Sequence, residues 1–277
     1  MNIIVASTCS PTNVALINQL SQLTPVRHVF RVTWSSERQA RTRWAELALS
    51  PVAKITGRIR RKYFERVHDS IEIEAARRLG ASPGDEIRVP VTSIDCSLIN
   101  SQVFAATLQE LSPDILITSA CPILKPLIFD IPRLGTINIH RGIAPAYRGE
   151  RTVFWPLYYR DYEHIGVTLH LIDRGIDTGP ILGYGFPELA ADDTEATIVA
   201  KCMEIAVEMI KATIAQAESE RLIGYPSMST RRCFYRNDQR ILKEWNYRLG
   251  RALGLRTIPA RSRRIEMPPG QQIIMSA

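Results

Sequence analysis

The alternation of short apolar runs with amphipathic stretches constrains this chain more than any other feature. Residues 2–6 (NIIVA) read as a buried strand, and the SPT segment after them as part of a turn. Residues 13–23 then read as a helix with Val14, Leu16, Ile17, Leu20 and Leu23 on its inner side. Residues 26–34 alternate as a second strand, and 114–119 (DILITS) are apolar enough for a strand covered on both faces. Strands that alternate with helices specify a doubly wound, mostly parallel α/β sheet. The pattern further predicts a short helix over 71–79 closed by Gly80, a strand over 87–91, a helix over 101–111, an aromatic-rich helix start over 152–160, and a long helix from 192 to about 221 capped by Thr194. The turn after the first strand lacks glycine, so a G-x-G-x-x-G dinucleotide loop is excluded there.

The chemistry concentrates in residues 136–182. A strand pattern there carries Asn138 and His140, whose i, i+2 spacing puts both side chains on one face. A loop follows with Pro145, Tyr147, Arg148 and Gly149. A second strand pattern over 166–172 leads into the turn 173–179, which holds Asp177 and two glycines. Strand ends of open α/β sheets are where ligands bind. An amide, an imidazole and a carboxylate together suit acyl transfer to a neutral amine. The amide and an imidazolium donate to the developing oxyanion, and the carboxylate keeps the ring charged and takes up the proton lost by nitrogen.

These residues give the stretch a specific resemblance. Asn138-Ile139-His140, Tyr147-Arg148-Gly149 and Asp177-Thr178-Gly179 resemble, in order and spacing, the signature of the folate-dependent formyltransferases. That family includes methionyl-tRNA formyltransferase, glycinamide ribonucleotide transformylase and the sugar N-formyltransferases. The resemblance implies a Rossmann-like formyltransferase fold, 10-formyltetrahydrofolate as formyl donor, and catalytic roles for Asn138, His140 and Asp177. It further implies donor contacts from Ser119, Cys121, Ile123, Leu124, Asp173 and Ile176, with backbone groups of the 119–124 segment reading the pterin edge. Acceptor contacts are implied at Ser10, Asn13, Arg148 and Trp155. Ser10 or Thr12 serves equally well as a helix cap, and the aromatics around Trp155 equally well as core. His170, with Thr168 on the same strand face, either fixes the turn that carries Asp177 or is a satisfied core histidine. Where many members follow the histidine with Pro-Ser, this chain has Arg141-Gly142. Cys121 reads as a packed side chain rather than a nucleophile.

Residues 1–222 are expected to form the catalytic domain, with a basic helical insertion over about 35–68 that includes Arg38, Arg41, Arg43, Arg58, Arg60, Arg61 and Lys62 and is broken by Pro51. Residues 223–277 form a basic extension. In it, 238–253 read as a helix with Ile241, Leu242, Trp245, Leu249 and Leu253 on one side, a packing or dimer element, and Met267 opens an irregular end. The extension lacks the length and strand repeats of a β-barrel, which weighs against tRNA. Formal net charge is +7, and basic segments of this kind attract anionic partners or simply face solvent. The five cysteines are scattered without metal or redox spacing, the start reads as a strand rather than a signal peptide, and no apolar run nears the ~20 residues of a membrane helix. These features point to a cytoplasmic enzyme with no metal. The style of the 151–156 segment resembles the amino-sugar formyltransferases, so a nucleotide-linked amino sugar is the expected acceptor and a homodimer an expected assembly. Methionyl-tRNA and a hydroxyornithine-type acceptor stay open, as do a formyltetrahydrofolate hydrolase and a non-catalytic folate-binding regulator.

Overall fold

The computed structural model describes residues 1–34, 51–82, 84–217, 222, 224–227 and 233–267. Strands β1 (Ile3–Ser7), β2 (Val26–Thr33), β3 (Val91–Asp95), β4 (Ile115–Ser119) and β5 (Gly135–His140) run parallel. A two-residue β6 (Arg148–Gly149) follows, and β7 (Val167–Leu171) and β8 (Ile181–Phe186) extend the sheet antiparallel from β5. Near the end of the chain β9 (Cys233–Phe234) pairs with β6, and β10 (Arg264–Glu266) closes the edge of the main sheet against β8. The eight-stranded order is β10-β8-β7-β5-β4-β1-β2-β3.

Alternate side chains of the central strands feed two cores. Ile3, Val5, Ile115, Ile117, Ile137 and Ile139 pack with α1 (Pro11–Leu23), α2 (Pro51–Arg78) and, further along the chain, α6 (Glu195–Ala217). Ile4, Ala6 and Leu116 pack on the opposite face with α3 (Gln102–Leu111) and the short α4 (Pro126–Phe129). Helices on both faces of a largely parallel sheet are the doubly wound architecture, and they explain why β1 and β4 are near-continuous apolar runs. Ser101 caps α3 by accepting the Phe104 N–H at 3.2 Å, and Thr194 caps α6 by accepting the Thr197 N–H at 3.2 Å. The aromatic segment forms α5 (Phe154–Tyr159). Among the described residues no helix is long and apolar enough to cross a membrane.

Four expectations shift. The helix placed over 71–79 is the end of α2, a single 28-residue helix that starts at Pro51. Pro51 is the first described residue of this helix, a place its fixed φ and missing N–H allow. No glycine or proline lies between His68 and Ile71, and the Ser70 hydroxyl bonds back to the Val67 carbonyl. The strand expected over 87–91 begins at Val91, because Pro90 has no N–H for the ladder and contributes its carbonyl to Val29 instead. The three-residue β10 is too short to show as a periodic pattern. In α7 (Ile241–Ala252) the apolar side turns outward: Leu242 is 82%, Trp245 62% and Leu249 59% exposed, while Glu244, Tyr247 and Gly250 face inward. Glu244 is drawn in by buried Arg151, which it meets at 2.8 Å. The features expected over 35–50, at 218–221, at Arg231 and Arg232 and beyond Met267 lie outside the described residues.

Candidate active site

The register of three neighbouring strands builds the floor. Asn138 of β5 lies opposite Thr118 of β4 and His170 of β7, so an amide stands between a hydroxyl and an imidazole on one face. The Thr118 hydroxyl donates to Asn138 Oδ1 at 2.9 Å, and Asn138 Nδ2 meets His170 Nε2 at 3.1 Å. His170 Nδ1 is turned to the Leu171 carbonyl at 2.8 Å, which leaves Nε2 as the acceptor for the amide in the neutral ring. Two residues along β5, His140 takes the next position on that face, opposite Thr168.

The turn between β7 and β8 brings the carboxylate. Asp173 shapes it by accepting the Gly175 N–H at 2.9 Å and the Thr178 hydroxyl at 2.7 Å. Gly179 packs so closely that a Cβ there would stand 1.8 Å from the Leu171 carbonyl oxygen. Asp177 takes a left-handed backbone conformation (φ 49°), a strained state of the kind that clusters at functional sites. Its Oδ2 lies 3.5 Å from His140 Nδ1 and its Oδ1 3.5 Å from both His170 Nε2 and Asn138 Nδ2.

The loop after His140 completes the enclosure. The fully buried Thr168 hydroxyl donates to the Gly142 carbonyl at 2.6 Å and accepts the Ala144 N–H at 3.0 Å, which fixes how the chain leaves the histidine. The Tyr147 carbonyl accepts His140 Nε2 at 2.8 Å, the Gly149 N–H donates to Asp177 Oδ2 at 2.8 Å, and Arg148 Nη1 donates to the Ile176 carbonyl at 3.3 Å.

Electrostatics follow from this packing. Burial by itself opposes charge on Asp177, but His140, His170 and the Gly149 N–H overcome it and hold the carboxyl well below the usual carboxylate range. Burial lowers His140 below its ordinary value, against the pull of Asp177 and the Tyr147 carbonyl. Asp177 is therefore a fixed negative charge beside the His140 ring, whose other nitrogen is held by the Tyr147 carbonyl. Such a site can accept a proton at the moment a nucleophile sheds one, and the resulting imidazolium can donate to an oxyanion.

Other residues singled out in the sequence fall on either side of this floor. Cys121, Leu124 and Ile172 share the smaller apolar cluster on the same face as Asn138, which brings the 121–124 loop beside the base of the Asp177 turn. Burial pushes the Cys121 thiol up to about 12, which suits packing and not attack. Ile123 is exposed, and its carbonyl accepts from Asn100 at 2.9 Å. Ser119, expected at the donor, points to the opposite face because it neighbours Thr118, and its hydroxyl donates to Asn13 Oδ1 at 2.8 Å. Trp155, expected to meet the acceptor, is fully buried with its indole N–H on the Glu150 carbonyl at 3.1 Å. Ser10 donates to Glu72 at 2.6 Å and is thereby tied to α2. Glu72 also pairs with Arg141 at 2.5 Å, so the residue that replaces the usual Pro-Ser is anchored to a helix distant in sequence. Glu72, the Tyr147 carbonyl and Phe234 escape sequence reasoning, since only tertiary contact reveals them. No cluster of metal-binding type occurs among the described residues.

The sequence model of the Formyl transferase family matches residues 1–214, more than three quarters of the chain. The protein belongs to the formyl transferase family. Among curated relatives, the methionyl-tRNA formyltransferase of Thermosynechococcus vestitus is 38% identical over 110 residues, covering 39% of this chain and 33% of the relative. That of Koribacter versatilis is 30% identical over 141 residues, covering 50% and 45%. The chain thus spans a third to under half of these relatives. The fold is shared with a 4-N formyltransferase from Francisella tularensis (TM-score 0.54, 16% identity, 86% of this chain and 77% of that one). It is also shared with a sugar N-formyltransferase from Shewanella sp FDAARGOS_354 (TM-score 0.52, 17% identity, 91% and 88%) and a phosphoribosylglycinamide formyltransferase from Bacillus halodurans (TM-score 0.51, 20% identity, 79% and 96%). Beside the catalytic floor the 119–124 segment carries no charged side chain, and Cys121, Leu124 and Ile172 form an apolar surface that would suit a flat ring.

Proposed function

We propose that this formyl transferase acylates the primary amine of a nucleotide-linked amino sugar. The observation that supports the catalytic reading is the Asp177 carboxylate, held ionised between His140, His170 and the Gly149 N–H within 3.5 Å of the Asn138 amide. The donor supplies the activated formyl group. The acceptor nitrogen adds to the formyl carbon, and a negative oxygen develops. Asn138 donates to that oxygen, and the proton shed by the nitrogen reaches His140 through Asp177 or water and leaves a charged ring beside the oxyanion. On collapse the carbon–donor bond breaks, and the same proton passes to the departing donor nitrogen. Asn138, His140 and Asp177 are the catalytic residues of this reading, and His170 orients Asn138 and Asp177. Cys121, Ile123, Leu124, Asp173 and Ile176 frame the donor crevice, and Arg148 stands at its acceptor end.

The amino-sugar acceptor is supported by the style of the 151–156 segment. A methionyl-tRNA acceptor is favoured instead by the names of the curated relatives. The described tail holds helix α7 and the short strands β9 and β10, which is not a barrel. Incubation with 10-formyltetrahydrofolate and a panel of nucleotide amino sugars, hydroxyornithine and methionyl-tRNA, read by mass spectrometry, decides between them. The expected result is one formylated nucleotide sugar, with its formation lowered on the order of 10²-fold or more in Asp177→Asn. Formylated methionyl-tRNA alone replaces the acceptor, and release of formate with no amine present replaces transfer by hydrolysis.

A further inference from the structure

The residues that hold His140 and Asp177 in place are themselves held from beyond the part of the chain that matches the family. Tyr147, Arg148 and Gly149 each contact the catalytic group: the first carries the carbonyl on His140, the second bonds to Ile176 beside Asp177, and the third gives its N–H to Asp177. Tyr147 is tied locally by the Ile143 carbonyl, which accepts its N–H at 2.9 Å, and by Asp161, which accepts its hydroxyl at 2.9 Å, and β9 adds a partner strand to the segment that follows. Cys233 and Phe234 lie parallel beside Arg148 and Gly149, and the Phe234 carbonyl accepts the Glu150 N–H at 2.9 Å. The Phe234 ring is 5% exposed and lies between Tyr147 (centroids 5.7 Å apart, 8° between planes) and Trp155 (4.8 Å, 16°). The fit is close on the backbone side as well. Gly149 has φ +88°, and a Cβ there would sit 2.1 Å from the Phe234 carbonyl oxygen. The tail is anchored in turn, because Glu244 of α7 meets Arg151 at 2.8 Å and Tyr247 packs edge-on to Phe154 at 5.5 Å.

We propose that Phe234 is a positioning residue for formyl transfer: by stacking on Tyr147 and bonding alongside Gly149, it fixes the carbonyl that orients His140 and the N–H that orients Asp177. The inference rests on the family chemistry and not on the identity of the acceptor. An aromatic stack of this kind favours one loop position over its neighbours by about 2- to 10-fold. Displacement of about 1 Å in a catalytic group costs on the order of 10²-fold in rate.

The test has an arm that needs no acceptor. In ¹⁵N-histidine-labelled enzyme, the His140 Nε2–H is 94% shielded with its residue and bonded to Tyr147, so it gives a slowly exchanging signal, assigned by its loss in His140→Gln. Phe234→Ala is expected to speed exchange of that proton about 10-fold or more and to lower kcat about 10- to 100-fold with the donor KM nearly unchanged. Phe234→Tyr, which keeps the ring, is expected to restore both. Phe234→Leu serves the same comparison if the alanine variant does not fold. Leu189→Ala, a core change away from the loop, is expected to lower stability and leave the exchange rate and kcat of the folded enzyme alone. Unchanged exchange in Phe234→Ala overturns the proposal, and so does faster exchange with unchanged kcat. If every amine in the acceptor panel fails, the exchange arm still stands, so failure of the acceptor reading and failure of this one are told apart.

Discussion

Replacing Glu72 with glutamine tests how the loop behind the catalytic histidine is tied down. Glu72 is 2% exposed, accepts from Arg141 at 2.5 Å through one oxygen and from Ser10 at 2.6 Å through the other. Burial pushes its carboxyl upward, but Arg141 and the two hydrogen bonds prevail and bring it from 4.5 to about 2. That depression corresponds to roughly 3 kcal/mol of stability. Because the folded-state value is the lower one, the contribution is complete above about pH 4.5 and drains away as pH falls toward 2. Glu72→Gln also leaves Arg141 without its counter-ion, and losing one member of a buried pair costs about 3–5 kcal/mol. Arg141 keeps 22% of its side chain exposed, so water relieves part of that and the lower figure applies. Urea unfolding at pH 7 is therefore expected to show the variant about 3 kcal/mol less stable. At pH 3.5 the difference should shrink by about 1.4 kcal/mol, since the wild type has by then begun to lose the term that the variant never had. A difference that stays constant between pH 7 and 3.5 would refute the assignment of this energy to the ionised carboxylate.

Two further outcomes follow from the packing. Gly149→Ala forces a methyl group into the Phe234 carbonyl at a left-handed backbone position, so urea titration should report a loss of about 1–3 kcal/mol and steady-state kinetics a lower kcat; wild-type values for both would show that β9 yields freely. The Cys121 and Cys202 thiols, both pushed up to about 12 by burial, hold on the order of 10⁻⁴ of their population as thiolate at pH 8, and mass spectrometry after iodoacetamide should find them unmodified until the chain is unfolded.

How much of this could be read in advance depends on the range over which each feature is encoded. Asn138 and His140 were legible because the side-chain period of a strand is two, so their shared face needs no tertiary knowledge. The central strands β1 and β4 were legible because strands buried on both sides read as apolar runs. Asp177 was placed by resemblance, and its left-handed backbone conformation and its two histidine neighbours appear only once β7 is laid beside β5. The Ser119 side chain takes the opposite face from Thr118, where it meets Asn13, a contact that only the fold reveals. For Trp155 and α7 the sequence names the apolar side but not what that side meets: Trp155 is buried in the core, and the apolar side of α7 faces outward. Buried Arg151 recruits Glu244 and so turns Leu242 and Trp245 outward. The Arg141–Glu72 pair spans 69 positions, and no local pattern encodes it.

The β6–β9 pairing also sets a clock on the growing chain. Arg148 and Cys233 are partners separated by 85 positions, an interval of about 4–17 s at roughly 5–20 residues per second of synthesis. Over the part of that interval after residue 177, Asn138, His140 and Asp177 all exist on a nascent polypeptide whose 148–149 segment does not yet have its β9 partner. The active site is thus among the last parts of the molecule to become rigid, and a ribosome that stalls before residue 233 leaves a chain with its catalytic side chains made but their loop unanchored.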